Sequence, residues 1–525
     1  MADHAHQPPT NPFAEPAHRI DRRGFLAALG AGGAAAGLAA CGGSSTTRPE
    51  QRRPITPTLH STESRRLLSV PELKPPPIEV LKRPSEPGTG TYVFTDVHAG
   101  DGQQGPLIID RAGRLVYFNP VSGGGTTTRR AFNVRVQQYR GEPMLTHWTG
   151  ATVYGHGQGH YELYDQRYRL VSRVHAGNGY LGDLHEFRLT DRGTALLTAY
   201  GEATGDLPAG PDSPARVGPY FYGVAQEVEI ATGRVLLQWR SDEHVPLSAS
   251  YQGVPLAGPR AIWDSFHINC IAVDPQDDNL IISGRHTWAF YKVDRQTGAV
   301  IWTCGGRDSD FEMGPDTHFA FQHHVVPHPQ GLVTIFDNEG GPPNEARQSR
   351  ALVLRVDERR RTVSFVRQYR HRPPVLSEAE GSVQPLGEYP CNMFVGWGDS
   401  TYFTEYDRDG EVVLDAHLNA TGVLSYRAFQ DSWRGTPQTP PRLTVVRRGH
   451  AARLYASWNG STEHRGWRVL GGSGQHALST VGISASHGFE TEIRLGHAPS
   501  HLAVEPLDGS GGAGLARSAV VRVGA

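Results

Sequence analysis

The strongest constraint on the fold is a strand-turn-strand pattern that recurs about every sixty residues. Two short apolar strands flank a polar turn in IIDRAGRLVYF, LYDQRYRLV, VEIATGRVLLQW, KVDRQTGAVIW, RVDERRRTVSF and LDAHLNATGVLSY. These turns centre near residues 112, 167, 232, 297, 361 and 421. With the apolar strands between the hairpins, each repeat holds about four strands, the content of one propeller blade. The pattern predicts an all-β fold with a six-bladed β-propeller over residues 89–433.

Proline and glycine interrupt most windows of the sequence, which has 62 Gly and 38 Pro, so long amphipathic helices and a parallel α/β sheet are not expected. After the proline-rich stretch 434–441 the pattern changes to LTVV, ARLYASWNG, WRVL, GFETEI, HLAVEPLD and AVVRV. Short alternating strands at this density are typical of a β-sandwich. We therefore predict a fibronectin type III-like sandwich over residues 442–525.

The amino terminus has the pattern of an export signal. Arg22 and Arg23 form a twin-arginine motif before an Ala/Gly/Leu stretch that is too short for an ordinary transmembrane helix. The stretch ends in Leu-Ala-Ala-Cys41, which is similar to a lipoprotein-processing box. We predict a signal peptide over residues 1–41, a disordered Pro/Ser/Thr-rich spacer over 42–88, and a lipid anchor on the outer face of the cell membrane. A simply secreted protein is the alternative.

Charge and cysteine content limit the partners. The formal net charge of -2 gives no global attraction to nucleic acid, and a lipid anchor would be the only contact with a membrane. After processing, Cys270, Cys304 and Cys391 remain. One disulfide is permitted outside the cytoplasm, but the sequence does not decide which pair would form it. There is no CxxC motif to indicate a structural zinc site.

Three histidines recur at one place in the repeat and indicate a shared centre. They are His185 in DLHEFRLTDRG, His267 in FHINCIAVDPQ and His323 in FQHHVVPHPQG, and each opens an apolar run. A glycine follows His185 and His323 by the same interval, and this register favours His323 over its neighbour His324. Because the innermost strands of a propeller line one channel, these distant histidines can converge.

The middle copy adds two polar groups to this centre. On a strand, His267 and Asn269 would point to the same face. If the chain folds back about residues 274–278, Arg285 lies opposite His267, where cross-strand neighbours are about 5 Å apart at Cβ. A histidine, an amide and a guanidinium in one small volume are suited to an oxyanion with several oxygens.

Other interpretations of the histidines remain open. They can simply connect adjacent blades, or three imidazoles can bind zinc or copper, although Arg285 would place a positive charge beside the cation. The whole chain can also be a surface protein that uses the propeller and the sandwich as a binding platform. The glycine-rich stretch 155–160 indicates a loop, and the acidic stretch 337–339 indicates a solvated blade edge more than a calcium site.

Several stretches resemble the arylsulfotransferase family of extracytoplasmic β-propellers, in particular its large actinobacterial and fungal group. They are AGNGYLGDLHEFRLTDRGTALLTAY, FHINCIAVDPQDDNLIISGRHTWAFYKVDRQTGAVIW, GGRDSDF, FQHHVVPHPQGLVTIFDNE and NMFVGWGDSTYFTEYD. The resemblance covers roughly residues 90–430. It implies a transferase that moves a sulfuryl group from a phenolic sulfate ester to a phenolic acceptor, without a nucleotide donor or other cofactor.

The resemblance also implies roles for the predicted residues. His323 would be the transiently sulfated nucleophile of a ping-pong mechanism. The groups that bind the sulfuryl group would be His185, His267, Asn269 and Arg285. Aromatic side chains would wall the phenol pocket, unless they serve as core residues, and the candidates are Trp263, Trp288, Trp397, Tyr402 and Phe403.

Overall fold

The computed structural model describes residues 66–523, except 87–89, 101, 122–128, 211–212, 257, 259–260, 341–346 and 510–513. The predicted signal sequence, with Arg22, Arg23 and Cys41, lies outside the described residues. All described residues belong to one compact unit. Among them, no helix combines the length and the apolar character that a membrane span requires.

β-Strands form nearly all regular structure in the described ranges, which confirms the all-β prediction. The chain begins with β1 (Ile78–Lys82), β2 (Thr91–Val97), β3 (Gly105–Asp110), β4 (Leu115–Phe118), β5 (Arg130–Tyr139), β6 (Glu142–Val153), β7 (His156–Tyr164), β8 (Leu170–Val174), β9 (Gly182–Leu189), β10 (Thr194–Leu207), β11 (Arg216–Glu229) and β12 (Val235–Arg240). It continues with β13 (Trp263–Asp264), β14 (Ile268–Val273), β15 (Leu280–Gly284), β16 (Ala289–Val293), β17 (Val300–Gly305), β18 (Glu312–Met313), β19 (His323–His328), β20 (Leu332–Asp337), β21 (Arg350–Asp357), β22 (Thr362–Tyr369), β23 (Ser382–Pro385), β24 (Met393–Gly396), β25 (Tyr402–Tyr406), β26 (Val412–Leu418) and β27 (Ala428–Ser432). It ends with β28 (Arg442–Arg448), β29 (Ala451–Ser457), β30 (Gly466–Gly472), β31 (Leu478–Ala485), β32 (Glu490–Leu495), β33 (His501–Leu507) and β34 (Val521–Arg522). Single 3₁₀ turns lie at Ser241–Glu243, Leu247–Ala249, Pro329–Gly331 and Gly398–Ser400.

The strands up to β27 form antiparallel units of four strands each. We name them unit A (β27-β2-β3-β4), unit B (β5-β6-β7-β8), unit C (β9-β10-β11-β12), unit D (β14-β15-β16-β17), unit E (β19-β20-β21-β22) and unit F (β23-β24-β25-β26). The additional strands β1, β13 and β18 pair with β26, β11 and β22. One bridge between Gly159 and Gly182 joins units B and C into a single sheet.

The units pack face against face because alternate side chains of a strand point to opposite sides of the sheet. On β15, Leu280 and Ile282 pack towards unit C, whereas Ile281 packs towards unit E. Hydrophobic clusters of this kind lie between A and B, B and C, C and D, D and E, E and F, and F and A. Each large apolar side chain buried there contributes about 1.5–3 kcal/mol.

Strand β27 brings the end of this region back to its beginning. It pairs with β2 as the innermost strand of unit A, with Ala428 opposite Thr95 and Ser432 opposite Thr91. The innermost strands β5, β9, β14, β19, β23 and β27 are neighbours in this order, and β27 is in turn a neighbour of β5. Side chains from distant parts of the sequence therefore meet along these strands.

The sixth predicted turn, near residue 421, is wrong. The outer hairpin of unit F joins β25 to β26 at residues 407–411, where Asp407 Oδ1 accepts the N–H groups of Asp409 and Glu411. Residues 419–427 instead link β26 to β27. In both stretches, polar turn residues lie between apolar runs. The sequence pattern therefore cannot distinguish the hairpin at residues 407–411 from the link that leads from β26 to β27. The other predicted turns join β3 to β4, β7 to β8, β11 to β12, β16 to β17 and β21 to β22.

Strands β28 to β34 form two further antiparallel sheets, β28-β29-β32 and β31-β30-β33-β34. One hydrophobic cluster combines residues of both sheets, among them Trp467 and Ile493. Asn459, in the loop after β29, donates to the Phe118 carbonyl at 2.9 Å and accepts from the Phe118 N–H at 3.1 Å. These bonds attach the carboxyl-terminal region to unit A.

The prediction of a disordered spacer over residues 42–88 is wrong for its last part. Residues 78–82 form β1, in which Ile78 lies opposite Leu418 of β26. Ser69 Oγ also bonds to Ser457 Oγ at 2.7 Å. The proline-rich composition hides a short alternating strand signal, and an edge strand tolerates nearby proline because one side needs no ladder bonds. Residues 42–65 lie outside the described residues.

The three cysteines of the described region are all free thiols. Cys270 is buried and contacts Glu186 Oε2 at 3.3 Å and the Val325 carbonyl at 3.1 Å. Burial raises the pKa of Cys270 to about 12 and also raises the pKa of Cys304. The fold therefore uses hydrophobic packing, and not a disulfide among these residues, to join its units.

Candidate active site

The structure brings His185, His267 and His323 together where β9, β14 and β19 begin. The Nε2 atoms of His185 and His267 are 3.2 Å apart, and the ring centroids of His185 and His323 are 6.3 Å apart. One ring nitrogen of each lies within 4.8 Å of the others. His185 and His323 are buried, and 12% of the His267 side chain is exposed. The cluster therefore has limited access to solvent.

Two of these histidines are oriented by carboxylates. His185 Nδ1 lies 2.7 Å from Asp183 Oδ2, and His267 Nδ1 bonds to Asp264 Oδ2. An ionised carboxylate only accepts hydrogen bonds, so Nδ1 carries the hydrogen in both rings. Burial acts to raise the pKa of Asp183, but His185 and its hydrogen bond lower that pKa to about 2. Both rings therefore turn Nε2 towards the shared centre.

The third histidine is oriented by an amide. His323 Nδ1 lies 2.8 Å from Asn338 Oδ1. Asn338 Nδ2 donates to the carbonyls of Ser377 at 2.9 Å and Glu380 at 3.0 Å, which identifies the other amide atom as the oxygen. His323 therefore donates from Nδ1 and keeps a lone pair on Nε2. The expectation of a solvated edge at residues 337–339 is wrong, because Asn338 is fully buried in this role.

Burial and nearby cations keep the candidate nucleophile neutral. Burial, followed by the charges of Arg285 and His185, lowers the pKa of His323 well below its usual range. Burial also lowers the pKa of His267 well below that range, although Asp264 acts in the opposite direction. A neutral imidazole with a lone pair on Nε2 is a competent nucleophile at pH 7. In His323 that lone pair accepts one long hydrogen bond, from the Glu380 N–H at 3.4 Å.

The contact between His185 and His267 requires a hydrogen or a cation between the two rings. Both rings donate from Nδ1, so two Nε2 lone pairs would face each other at 3.2 Å without a hydrogen or a cation between them. Among the described residues, two groups could hold a metal ion, namely His185 with His267 and His323, and His156 with Asp264 and His267. The adjacent positive charge of Arg285 opposes a divalent metal ion more than the single positive charge of a shared hydrogen, which favours the shared hydrogen.

Arg285 lies opposite His267, as the hairpin predicts. Its N–H donates to the His267 carbonyl at 3.0 Å. In the side chain, Nη1 lies 2.7 Å from His286 Nε2, and Nη2 donates to the Glu378 carbonyl at 2.8 Å. The guanidinium also lies 4.9 Å from the centre of the Phe321 ring. Its Nε is buried without a hydrogen-bond partner among the described residues.

Asn269 has a different orientation from the one that simple alternation predicts. His267 adopts a φ of 53° just before β14, and the pairing of β14 with β15 shifts by one residue between Ile268 and Cys270. Asn269 Nδ2 donates to the Gln322 carbonyl at 2.6 Å, while Oδ1 has no partner in the described part of the chain. Its amide therefore supports the backbone that precedes His323.

His324 faces a different set of side chains from its neighbour His323. Its φ is 51°, its Nδ1 accepts the Val383 N–H at 3.2 Å, and its Nε2 lies 3.3 Å from Arg188 Nη2. Of the two neighbours, it is His323 that shares the centre with His185 and His267.

The predicted aromatic residues fall into two groups. Half-buried Trp288 stacks on Tyr251 at 3.8 Å and lies 5.2 Å from Phe321, the ring beside Arg285. The others belong to the packing of their own sheets. Trp263 donates to the Gln252 carbonyl at 3.2 Å, fully buried Trp397 donates to Thr404 Oγ1 at 3.0 Å, Tyr402 stacks on His417 at 4.7 Å, and Phe403 lies in the cluster between units F and A.

A second Asp-x-His pair lies beside the cluster. In it, His98 Nδ1 bonds to Asp96 Oδ2 at 2.8 Å, and His98 Nε2 lies 3.3 Å from Glu380 Oε1. Burial acts to lower the pKa of His98, but these carboxylates raise it to about 9. The Glu380 N–H approaches His323 Nε2 at 3.4 Å.

The sequence interpretation missed these groups, together with Asp264 and Asn338. The repeated Asp-x-His spacing was a readable signal for Asp96 and Asp183, whereas nothing in the local pattern marks Glu380.

Comparison with known proteins assigns the family. The model of the family described as Arylsulfotransferase (ASST) matches residues 135–419, which is more than half of the chain. No curated protein matches the chain.

Solved structures that match this chain include a protein of unknown function from Bacteroides caccae, with 11% identity over 65% of this chain and 98% of that one, at a TM-score of 0.39. Another is the periplasmic gluconolactonase PpgL of Pseudomonas aeruginosa, with 11% identity over 77% of this chain and 99% of that one, at a TM-score of 0.33. A third is apo AztD from Citrobacter koseri, with 10% identity over 66% of this chain and 99% of that one, at a TM-score of 0.32. By the match of the family model, this chain belongs to the arylsulfotransferase family.

Proposed function

We propose that this protein transfers a sulfuryl group from a phenolic sulfate ester to a phenolic acceptor through a sulfated His323. The observation that carries the proposal is the hydrogen bond from His323 Nδ1 to Asn338 Oδ1 at 2.8 Å, within the family match. It leaves a neutral imidazole with a lone pair on Nε2, in the same cluster as His185 and His267.

In the first half-reaction, His323 Nε2 attacks the sulfur atom. The N–S bond forms while the S–O bond to the phenolic oxygen breaks, and the leaving oxygen takes the hydrogen held between His185 and His267. The positive charge that develops on the ring is stabilised by Asn338 Oδ1. In the second half-reaction a phenol returns its proton to the histidine pair, and its oxygen displaces His323 from sulfur.

Charge stabilisation supports the same assignment. Sulfuryl transfer, like phosphoryl transfer, spreads negative charge over equatorial oxygens while the entering and leaving atoms stand in line. The unpartnered Nε of Arg285 and the Glu380 N–H near His323 Nε2 are suitable donors to those oxygens. Asn269 contributes by holding the Gln322 carbonyl and therefore the backbone at His323. Among the predicted aromatic residues, Trp288 is the best placed to contact a phenol ring.

The proposal also covers the architecture of the two domains and the cellular location of the protein. The cyclic order of the innermost strands and the hydrophobic clusters between all neighbouring units support a six-bladed β-propeller over residues 89–433. The two sheets with a common core support a fibronectin type III-like sandwich over residues 442–525. The twin-arginine motif and Cys41 support export and a lipid anchor on the outer face of the membrane.

The direct test is mass spectrometry of the intact protein after brief mixing with 4-nitrophenyl sulfate. We expect an adduct of about 80 Da, the mass of SO₃, on the His323 peptide, as a covalent intermediate requires. His323→Ala should abolish the adduct, and the exposed control His476→Ala should retain it. An adduct on His324, His185 or His267 would overturn the assignment of the nucleophile. No adduct and no nitrophenol from folded protein would refute the proposed activity.

The convergence of three Nε2 atoms favours one second candidate, a metal-dependent enzyme at the same site. Elemental analysis of protein purified without chelator decides between them. One equivalent of zinc or copper that is lost in His185→Ala and is required for turnover would replace the sulfohistidine mechanism. Full activity after dialysis against a chelator would exclude the metal-dependent mechanism.

A further inference from the structure

A pocket lies at the end of the innermost strands that is opposite to the histidine cluster. It has a volume of about 660 Å³ and opens where β5, β9, β19, β23 and β27 end. The side chains that matter for its chemistry are Arg135, Arg188, His324, His328 and Phe429. We call this cavity the arginine pocket. It is distinct from the histidine cluster, since His185, His267 and His323 are not among its lining residues.

Positive charge is in excess in the deep part of the arginine pocket. The Glu186 carboxylate lies 2.7 Å from Arg135, 3.1 Å from Arg427 and 3.5 Å from Arg188. Three guanidinium groups therefore surround one carboxylate, which leaves two positive charges over. Burial acts to raise the pKa of Glu186, but these arginines lower it well below its usual range, so the carboxylate stays ionised.

Carboxylates at the rim do not remove this excess. The charged groups there are Arg140, Asp191 and Asp431, so positive charges still outnumber negative ones by one. The excess also lies deep, where uncompensated charge is most costly. An anion in the pocket would offset that cost.

Two guanidinium groups that line the arginine pocket have hydrogen-bonding capacity that the described residues do not use. Arg135 is only 7% exposed, and its Nη2 already donates to Glu186, but its Nε has no partner among the described residues. Arg188 directs Nη2 towards His324, and its Nε faces Glu186 Oε2 at 3.5 Å without hydrogen-bond geometry. Guanidinium N–H groups that are buried and unpaired cost free energy unless an acceptor binds them.

An apolar surface lies next to these donors. The Arg135 guanidinium lies 5.4 Å from the centre of the Phe429 ring, and the His324 ring lies 5.5 Å from the same ring. Val383 also lines the cavity. A ligand that combines an oxyanion with an aromatic ring would bind both the guanidinium groups and this apolar side.

From this arrangement we propose that the arginine pocket binds an aromatic oxyanion, such as an aryl sulfonate, sulfate ester or carboxylate, independently of the histidine cluster. Glu186, with Asn133 and Cys270 in contact with it, is fully buried, whereas 21% of the Arg188 side chain is exposed. The binding function does not depend on sulfuryl transfer.

Isothermal titration calorimetry with 2-naphthalenesulfonate tests the proposal. Its sulfur is bonded to carbon, so the probe cannot donate a sulfuryl group, and the outcome is independent of the proposed activity. Arg188→Gln should weaken binding at least about tenfold, the effect of one charge-assisted hydrogen bond. Arg188→Lys should give an intermediate affinity because it keeps the charge and loses the fork. The exposed control Arg234→Gln and the substitution His323→Ala should leave the dissociation constant unchanged.

Three results would overturn the proposal. One is the absence of binding to the folded wild-type protein at millimolar probe. Another is an affinity that Arg188→Gln leaves unchanged in a protein with a native circular dichroism spectrum. The third is loss of binding in Arg285→Gln with retention in Arg188→Gln, which would place the probe at the histidine cluster. If inorganic sulfate binds as tightly as the probe, the aromatic part of the proposal is wrong.

Discussion

The amide that orients the candidate nucleophile can be removed by the substitution Asn338→Ala. This change takes away the acceptor of His323 Nδ1 and the donors to the Ser377 and Glu380 carbonyls. The Ser377 carbonyl keeps a second partner, Ser349 Oγ, at 3.3 Å. Two polar groups, the buried His323 N–H and the part-buried Glu380 carbonyl, therefore lose the partner that Asn338 gives them.

The expected magnitudes follow from this count. A buried polar group without its partner costs about 1–3 kcal/mol, so the free energy of unfolding should fall by about 2–6 kcal/mol. The ring also loses the bond that selects its tautomer. Turnover should fall at least about tenfold, and up to about 10⁴-fold if Nε2 takes the hydrogen, as in catalytic histidines that lose their orienting group.

Urea unfolding followed by circular dichroism gives the first magnitude, and release of nitrophenol from 4-nitrophenyl sulfate gives the second. The control is Asn419→Ala, which removes one exposed bond to Glu79 at 2.8 Å and should change neither quantity appreciably. An Asn338→Ala protein with wild-type turnover would refute the role assigned to the amide. A stability change below about 0.5 kcal/mol would refute the hydrogen-bond count itself.

Other substitutions and conditions test the remaining groups. Arg285→Lys should lower kcat/KM at least about 100-fold, measured with the same ester, because lysine lacks the fixed N–H groups of the guanidinium. Burial acts to lower the pKa of His98, but the neighbouring carboxylates raise it to about 9. Protonated His98 should therefore stabilise the fold fully below pH 6.5, and this contribution should be lost as the pH rises through 9. The difference in unfolding free energy between wild type and His98→Gln should accordingly shrink between pH 6.5 and pH 10. Iodoacetamide should alkylate half-buried Cys391 before buried Cys270, whose pKa is about 12, and peptide mapping at successive times checks the order.

The sheet architecture could be predicted because it depends on two regular signals. One signal is the two-residue period of a β-strand, which places Leu280 and Ile282 in one hydrophobic cluster and Ile281 in another. The outer turns recur because each unit repeats one topology, and five of the six were located correctly. The sixth failed because Asp407 to Glu411 and residues 419–422 have the same polar composition, and only the pairing of β25 with β26 separates them.

The sequence predicts those parts of the site that depend on regular strand pairing, and it does not predict the others. Arg285 faces His267 because a hairpin fixes cross-strand pairs. The direction of Asn269 was not predictable, because a left-handed residue and a register shift precede it. Glu380 and Asn338 come from elements beyond β19, and no local pattern states that they will contact His323.

The two ends of the innermost strands are separated by irregularities at corresponding positions. β5, β14 and β19 each contain a register shift, and Asn133, His267 and His324 adopt φ values of 60°, 53° and 51° at or next to these shifts. A non-glycine residue in this conformation costs about 1–2 kcal/mol, so the surrounding packing must hold it.

The effect of such a shift is to turn successive side chains to different surroundings. His323 lies at the start of the shift of β19 and contacts Asn338, whereas His324 lies within the shift and contacts Arg188. Consecutive histidines are therefore assigned to different sites by one backbone irregularity. Replacing His324 by glycine removes the backbone strain and the contact with Arg188 together. It should alter aromatic oxyanion binding in the arginine pocket while His323 keeps its bond to Asn338.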